Sequence, residues 1–201
     1  MKTWTGALIA SGVVLVLALV AVPQHAPSRE QVELRTFDAA LGKSERKARL
    51  LTESADEVLG VYVADVEPIE RALLPRARDP ILARQAAWAL VREAKTRHLS
   101  PALLAAVLQV ENPWLVPDTT SYAGAVGWMQ VMPFHAADGD HPCGTDLKDG
   151  PTSVCFGADI LRGYLGTALD QAIRAALLRY NGCIRTPGCE AYADHVLRRV
   201  N

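Results

Sequence analysis

Residues Ser100–Pro133 read SPALLAAVLQVENPWLVPDTTSYAGAVGWMQVMP, and their reading decides the fold. Ser100 is a helix N-cap and Pro101 suits the first helical position. Residues 101–110 are then apolar except for Gln109. Asn112-Pro113 closes the run, because a residue before proline is pushed out of the helical region. The helix is therefore predicted to end near Glu111. Leu108, Val107 and Leu104 lie three, four and seven residues before Glu111 and share its face. A carboxyl group thus stands at the end of an apolar stripe. If that stripe is buried, the charged form is disfavoured and the pKa rises, as a general acid near neutral pH requires. A solvated helix-end charge is the competing reading.

The second half of the stretch is predicted as a loop and a short helix. Ser121–Gly127 is small and interrupted by glycine, which lets backbone approach a ligand. Trp128-Met129-Gln130-Val131-Met132 follows and Pro133 ends it. An aromatic face, a thioether and an amide together match the apolar faces and hydroxyl edges of a sugar ring; a Trp/Met cluster in the core is the alternative.

Three runs, ALLAAVLQVEN, GAVGWMQVMP and the later RYNG at 179–182, resemble the soluble lytic transglycosylase domain, which has a goose-lysozyme-like fold. Glu111, Gly127, Met129, Gln130, Met132, Pro133, Tyr180 and Asn181 match that family's pattern, over about Arg97–Asn201. The departures are Asn112 for Ser, Trp128 for Leu, Gly182-Cys183 for a residue followed by Gly, and Ser153-Val154 for Asn-Ile. The resemblance implies a mostly α, lysozyme-like domain that cleaves peptidoglycan glycan strands. It implies Glu111 as the catalytic acid and base. It places Gln130, Met129, Tyr180, Asn181, Ser121, Gly127 and Trp128 around the substrate, with Tyr180 orienting Glu111 or the sugar. It implies no metal and no organic cofactor.

Outward from this core the chain divides into three expected parts: residues 1–26, 27–78 and 79–201. In the first, Lys2 precedes an apolar run from Ala7 to Val22, broken only by Ser11 and Gly12 and ended by Pro23. This resembles a bacterial export signal. No small-x-small cleavage site follows, so a cleaved signal and a retained inner-membrane anchor both stay open. Either places the remainder outside the cytoplasm, in the periplasm.

Residues 27–78 form an additional N-terminal helical segment in which Ser28 can cap and charges of both signs mingle. A coiled extension, a spacer and a packing partner for the catalytic domain are all compatible with it, and Gly60–Val63 reads as a strand or a helix break. Asp79-Pro80 starts the next helix by the same cap-plus-proline logic. After an irregular stretch from Phe134 to Ser153, helices are predicted at about Val154–Leu165, Gln171–Arg179 with Asp170 as cap, and Glu190–Val200.

Cys143, Cys155, Cys183 and Cys189 are even in number in an exported chain and read as two disulfides. The pairs 143–155 and 183–189 are preferred because each clips a Gly/Pro-containing loop. A zinc reading would use His135, His141 and Cys143, whose spacing fits no standard site. The net charge of −1 over 201 residues argues against a nucleic-acid partner.

A second carboxylate, usual in glycoside cleavage, is not fixed by any motif; Asp118, in a loop, is the nearest candidate. A goose-type lysozyme hydrolase using Asp118 and a non-catalytic wall-binding or assembly protein are therefore kept as alternatives. A partner in an envelope-spanning assembly stays open too.

Overall fold

The structure is a computed structural model; it describes residues 28–137, 139–166, 169–183 and 189–200, with backbone alone for 169–172. The export segment expected over 1–26 and the side chain of Asp170 lie outside the described residues. Among those that are described, no helix is long and apolar enough to cross a membrane.

The chain falls into two compact units, Met1–Leu51 and Thr52–Asn201. The described part of the first belongs to one long helix, α1 (Arg29–Val61), which has no buried residue. Ser28 and Gln31 close its start with reciprocal hydrogen bonds.

The second unit holds the core. The helix does not break at Gly60–Val63 but passes through a π-helical turn, Tyr62–Val66, into α2 (Glu67–Leu73). Val66, Ile69 and Leu73 are buried there with α3 (Pro80–Arg97), so residues 66–73 pack in the same body as residues 79–201. Buried Glu70 is held by the Tyr62 hydroxyl at 2.9 Å and the Arg84 guanidinium at 3.0 Å. Asp79 caps α3 by accepting from the Ile81 amide at 2.8 Å. His98 ends it in the left-handed region, φ 54°.

α4 (Pro101–Glu111) follows, capped by Ser100 as its sequence predicts. Leu103 to Leu108 are all buried, making this the central helix of the body. α5 (Gly150–Leu165) packs on α3, α7 (Glu190–Val200) on α4, and α6 (Leu169–Tyr180) joins α5 and α7. The architecture is mostly α, and residues 118–132 carry only isolated β-bridges.

Two sequence expectations are corrected. α5 starts at Gly150 rather than near Val154, because the Asp149 carboxylate caps the Thr152 amide at 2.9 Å and Pro151 suits the first turn. Residues 128–132 are not a short helix. Val126 and Val131 exchange both backbone hydrogen bonds, at 2.9 and 3.0 Å, and 127–130 form the tight turn between them. Gln130 sits at φ 49°, in the left-handed region, which a right-handed helix excludes.

Both preferred disulfides form, Cys143–Cys155 and Cys183–Cys189. Cys143 therefore offers no thiolate to a metal. His141 accepts from the Cys143 amide and stacks on Phe156 at 4.4 Å, a packing role.

Candidate active site

Glu111 closes α4 at the floor of a cleft of about 370 Å³. The cleft is lined by Ser121, Ala123 and Ala125 on one side, Gln130 and Met132 on another, and Tyr180, Asn181 and Gly182 at the end of α6. Among these described lining residues Glu111 is the sole carboxylate. Asp118 does not line the cleft. The predicted stripe beneath Glu111 is present: Leu104, Val107 and Leu108 are fully buried. Burial pushes the Glu111 carboxyl from the ordinary 4.5 up to about 7, and a hydrogen bond from Tyr192 partly opposes this. That bond, from the Tyr192 hydroxyl to Oε1, is 2.5 Å long.

Tyr192 went unread in the sequence. It stands in α7, 81 residues from Glu111, and its one local signal is an inward face shared with Ala193 and Val196. Burial, and then the Glu111 charge, raise the phenol's pKa and keep it a donor. Tyr180, expected to orient Glu111 or the substrate, lines the cleft, but its hydroxyl donates to the Met129 carbonyl at 2.8 Å. It braces the far wall, and the hydrogen bond to Glu111 comes from Tyr192.

That wall is built by fitting, and it corrects two expected substrate contacts. Trp128 and Met129 are 1% and 0% exposed, so their side chains pack behind the site rather than offering a surface to sugar. The indole Nε1 donates to the Leu115 carbonyl at 3.1 Å. Small residues on α5 make room. A Cβ on Gly150 would stand 2.4 Å from the indole ring, and one on Gly157 would stand 2.7 Å from the Met129 Cβ. Gly127 has φ +81° and would place a Cβ 2.0 Å from the Leu147 carbonyl oxygen, so its role is to let the turn pack.

Two of the family departures hold this turn in place. Ser153 is fully buried and its Oγ accepts from the Met129 amide at 3.0 Å. Asn112, also buried, donates to the Val116 and Gly127 carbonyls at 2.7 and 3.4 Å and accepts from the Val116 amide. Gln130 lines the cleft, and its side-chain amide donates to the Gly127 and Thr119 carbonyls. Ser121 lines the cleft while its hydroxyl accepts from the Ala125 amide at 3.0 Å. Asn181 lies at the opposite rim, its Nδ2 3.0 Å from the Cys183 sulfur.

A larger hollow of about 580 Å³ lies among Val61, Trp88, Ala89 and Pro151. Its charged groups are already engaged: Lys95 with Asp65, Arg92 with Glu93, and Asp149 as a helix cap. Among the described residues no cluster of three His, Cys, Asp or Glu side chains is arranged to hold a metal ion.

A mostly helical body with a carboxyl raised toward neutrality in a polar cleft fits a lysozyme-like class of domain. Residues 89–186 match the family model described as the transglycosylase SLT domain, a match consistent with an SLT/lysozyme-like family acting on peptidoglycan. The match ends before Tyr192 and begins after α2. No curated protein matches the chain.

Proposed function

We propose that the protein is a peptidoglycan lytic transglycosylase that works with Glu111 alone as general acid and then base. The observation that carries this reading is a single carboxyl in the cleft, pushed up to about 7 and so substantially protonated at neutral pH. Glu111 gives its proton to the oxygen of the β-1,4 bond between N-acetylmuramic acid and N-acetylglucosamine as the C1–O bond breaks. The developing charge at C1 is met by the muramyl C6 hydroxyl, which forms the new C1–O6 bond. Its proton passes to the Glu111 carboxylate, restoring the acid. The products are an N-acetylglucosamine end and a 1,6-anhydro muramyl end, and no water is consumed. The Gln130 side chain, Ser121 and Asn181 supply polar contacts for the sugars and their N-acetyl groups. The substrate places the active protein outside the cytoplasm, in the periplasm or held at the membrane facing it.

Glycosidases that use two carboxylates keep the second close to the reacting carbon. A lysozyme reading would need Asp118 in that position, and Asp118 is not in the cleft wall. The test is mass spectrometry of muropeptides released from purified sacculi by the wild type and by Glu111→Gln. Anhydro ends, one water lighter than hydrolysed ends and absent with the variant, are expected. Reducing ends would make it a hydrolase, and release undiminished in the variant would remove Glu111 from the chemistry.

A further inference from the structure

α1 exposes an apolar seam with a coiled-coil period. Leu34, Phe37, Leu41, Ser44, Ala48, Leu51, Ala55 and Val58 follow one another at alternating steps of three and four residues. That is the a/d spacing of a coiled coil, sustained over about four heptads. All eight are exposed: Leu34, Phe37, Leu51 and Val58 by 56, 65, 62 and 57%. The helix is about 50 Å long at the usual rise per residue. No residue of this helix is buried, although packing of an apolar face is what normally stabilises helices.

The charges on the helix select the occupant. Lys43, Arg46, Lys47 and Arg49 outnumber Glu45 in the middle of α1, and Glu53, Asp56 and Glu57 follow with no base among them. A parallel, in-register pair would set basic run on basic run and acidic on acidic. An antiparallel pair in which Ala48 faces Leu51 of the second copy sets each basic run against the other copy's acidic run. The same register stacks Leu41 on Val58 and Ser44 on Ala55, so the six seam residues from Leu41 to Val58 meet seam residues, while Leu34 and Phe37 lie beyond the paired stretch.

We propose that α1 pairs with α1 of a second copy of this chain as an antiparallel coiled coil in this register. The pairing is independent of the reaction at Glu111.

The test is sedimentation equilibrium of the purified full chain at low salt. Twice the 21.7 kDa chain mass is expected for the wild type, and chain mass for Leu41→Asp and Leu51→Asp. Circular dichroism checks that the helical body of these variants is intact. Lys43→Glu with Arg46→Glu is expected to weaken the dimer about tenfold, and adding Asp56→Lys and Glu57→Lys to restore it. A wild type that stays monomeric at about a hundred micromolar, far above an ordinary dimer Kd, overturns the proposal and points to another protein or a lipid surface as the partner of α1. A dimer that survives Leu51→Asp overturns it as well. So does one tightened by Lys43→Glu with Arg46→Glu, which is the parallel outcome.

Discussion

α4 and α1 are both uninterrupted helices, yet one is 11 residues long with six of them buried and the other 33 long with none. α4 is short because everything around it is specified: a cap and proline at its start, a pre-proline stop, and α3 and α7 against its faces. That enclosure raises the pKa of its last residue to about 7, so a substantial fraction of the carboxyl holds its proton at neutral pH. α1 carries its apolar residues and charges without enclosure, so the same residue types there produce no site. A carboxylate such as Glu57 on α1 is exposed, whereas Glu111 differs from it by the apolar packing under it. Environment, not residue type, separates the cleft region from the extension.

The comparison is broken most strongly by removing the half-buried acid. Glu111→Gln is expected to lower the rate of muropeptide release by about 10²–10⁴-fold, the usual worth of a general acid–base group. The same variant should be more stable than wild type above neutral pH. With a pKa raised from 4.5 to about 7, the folded state holds the proton that the unfolded chain has lost, so wild-type stability falls as pH rises across that window and stays lower above it. A gain on the order of 1–3 kcal/mol in denaturant unfolding at pH 8 is expected, with little gain at pH 4.

Next in size is packing. Leu104→Ala, at a fully buried position, should cost about 2–5 kcal/mol by denaturant unfolding. Tyr192→Phe tests the orientation of the acid. It removes the one hydrogen bond shown to Glu111, and that bond lowers the carboxyl's pKa. The rate should fall by about tenfold while the alkaline limb of the pH–rate profile moves upward. An unchanged pH profile would reduce Tyr192 to a packing residue. The smallest effect belongs to α1: Leu50→Ala, on an exposed side chain outside the seam, should change stability by less than about 0.5 kcal/mol.

The parts of this arrangement legible in the sequence are those set by local chemistry. Ser100-Pro101 and Asp79-Pro80 mark helix starts, Asn112-Pro113 a stop, and spacing within one turn puts Glu111 over Leu104, Val107 and Leu108. The short loops between cysteines indicated both disulfides. Misreadings arose where distant partners decide. Residues 128–132 resemble a helical turn until Val131 finds Val126, and Trp128 resembles a sugar platform until Gly150 makes room to bury it. Gly150-Pro151 reads as loop unless Asp149 is recognised as a cap. Tyr192 reaches Glu111 only once α7 lies on α4, a contact that no spacing in the sequence encodes.

The central claim is that this fold raises the Glu111 pKa to about 7, so that a substantial fraction of the carboxyl holds its proton at neutral pH. It is tested most directly by following the Glu111 carboxyl carbon by NMR through a pH titration, with Glu111→Gln to assign the signal. The expected midpoint is about 7, together with loss of activity on the alkaline side of the same value. A midpoint near 4.5, the ordinary value, would contradict the account, because the residue would then enter the reaction without the proton it is required to give.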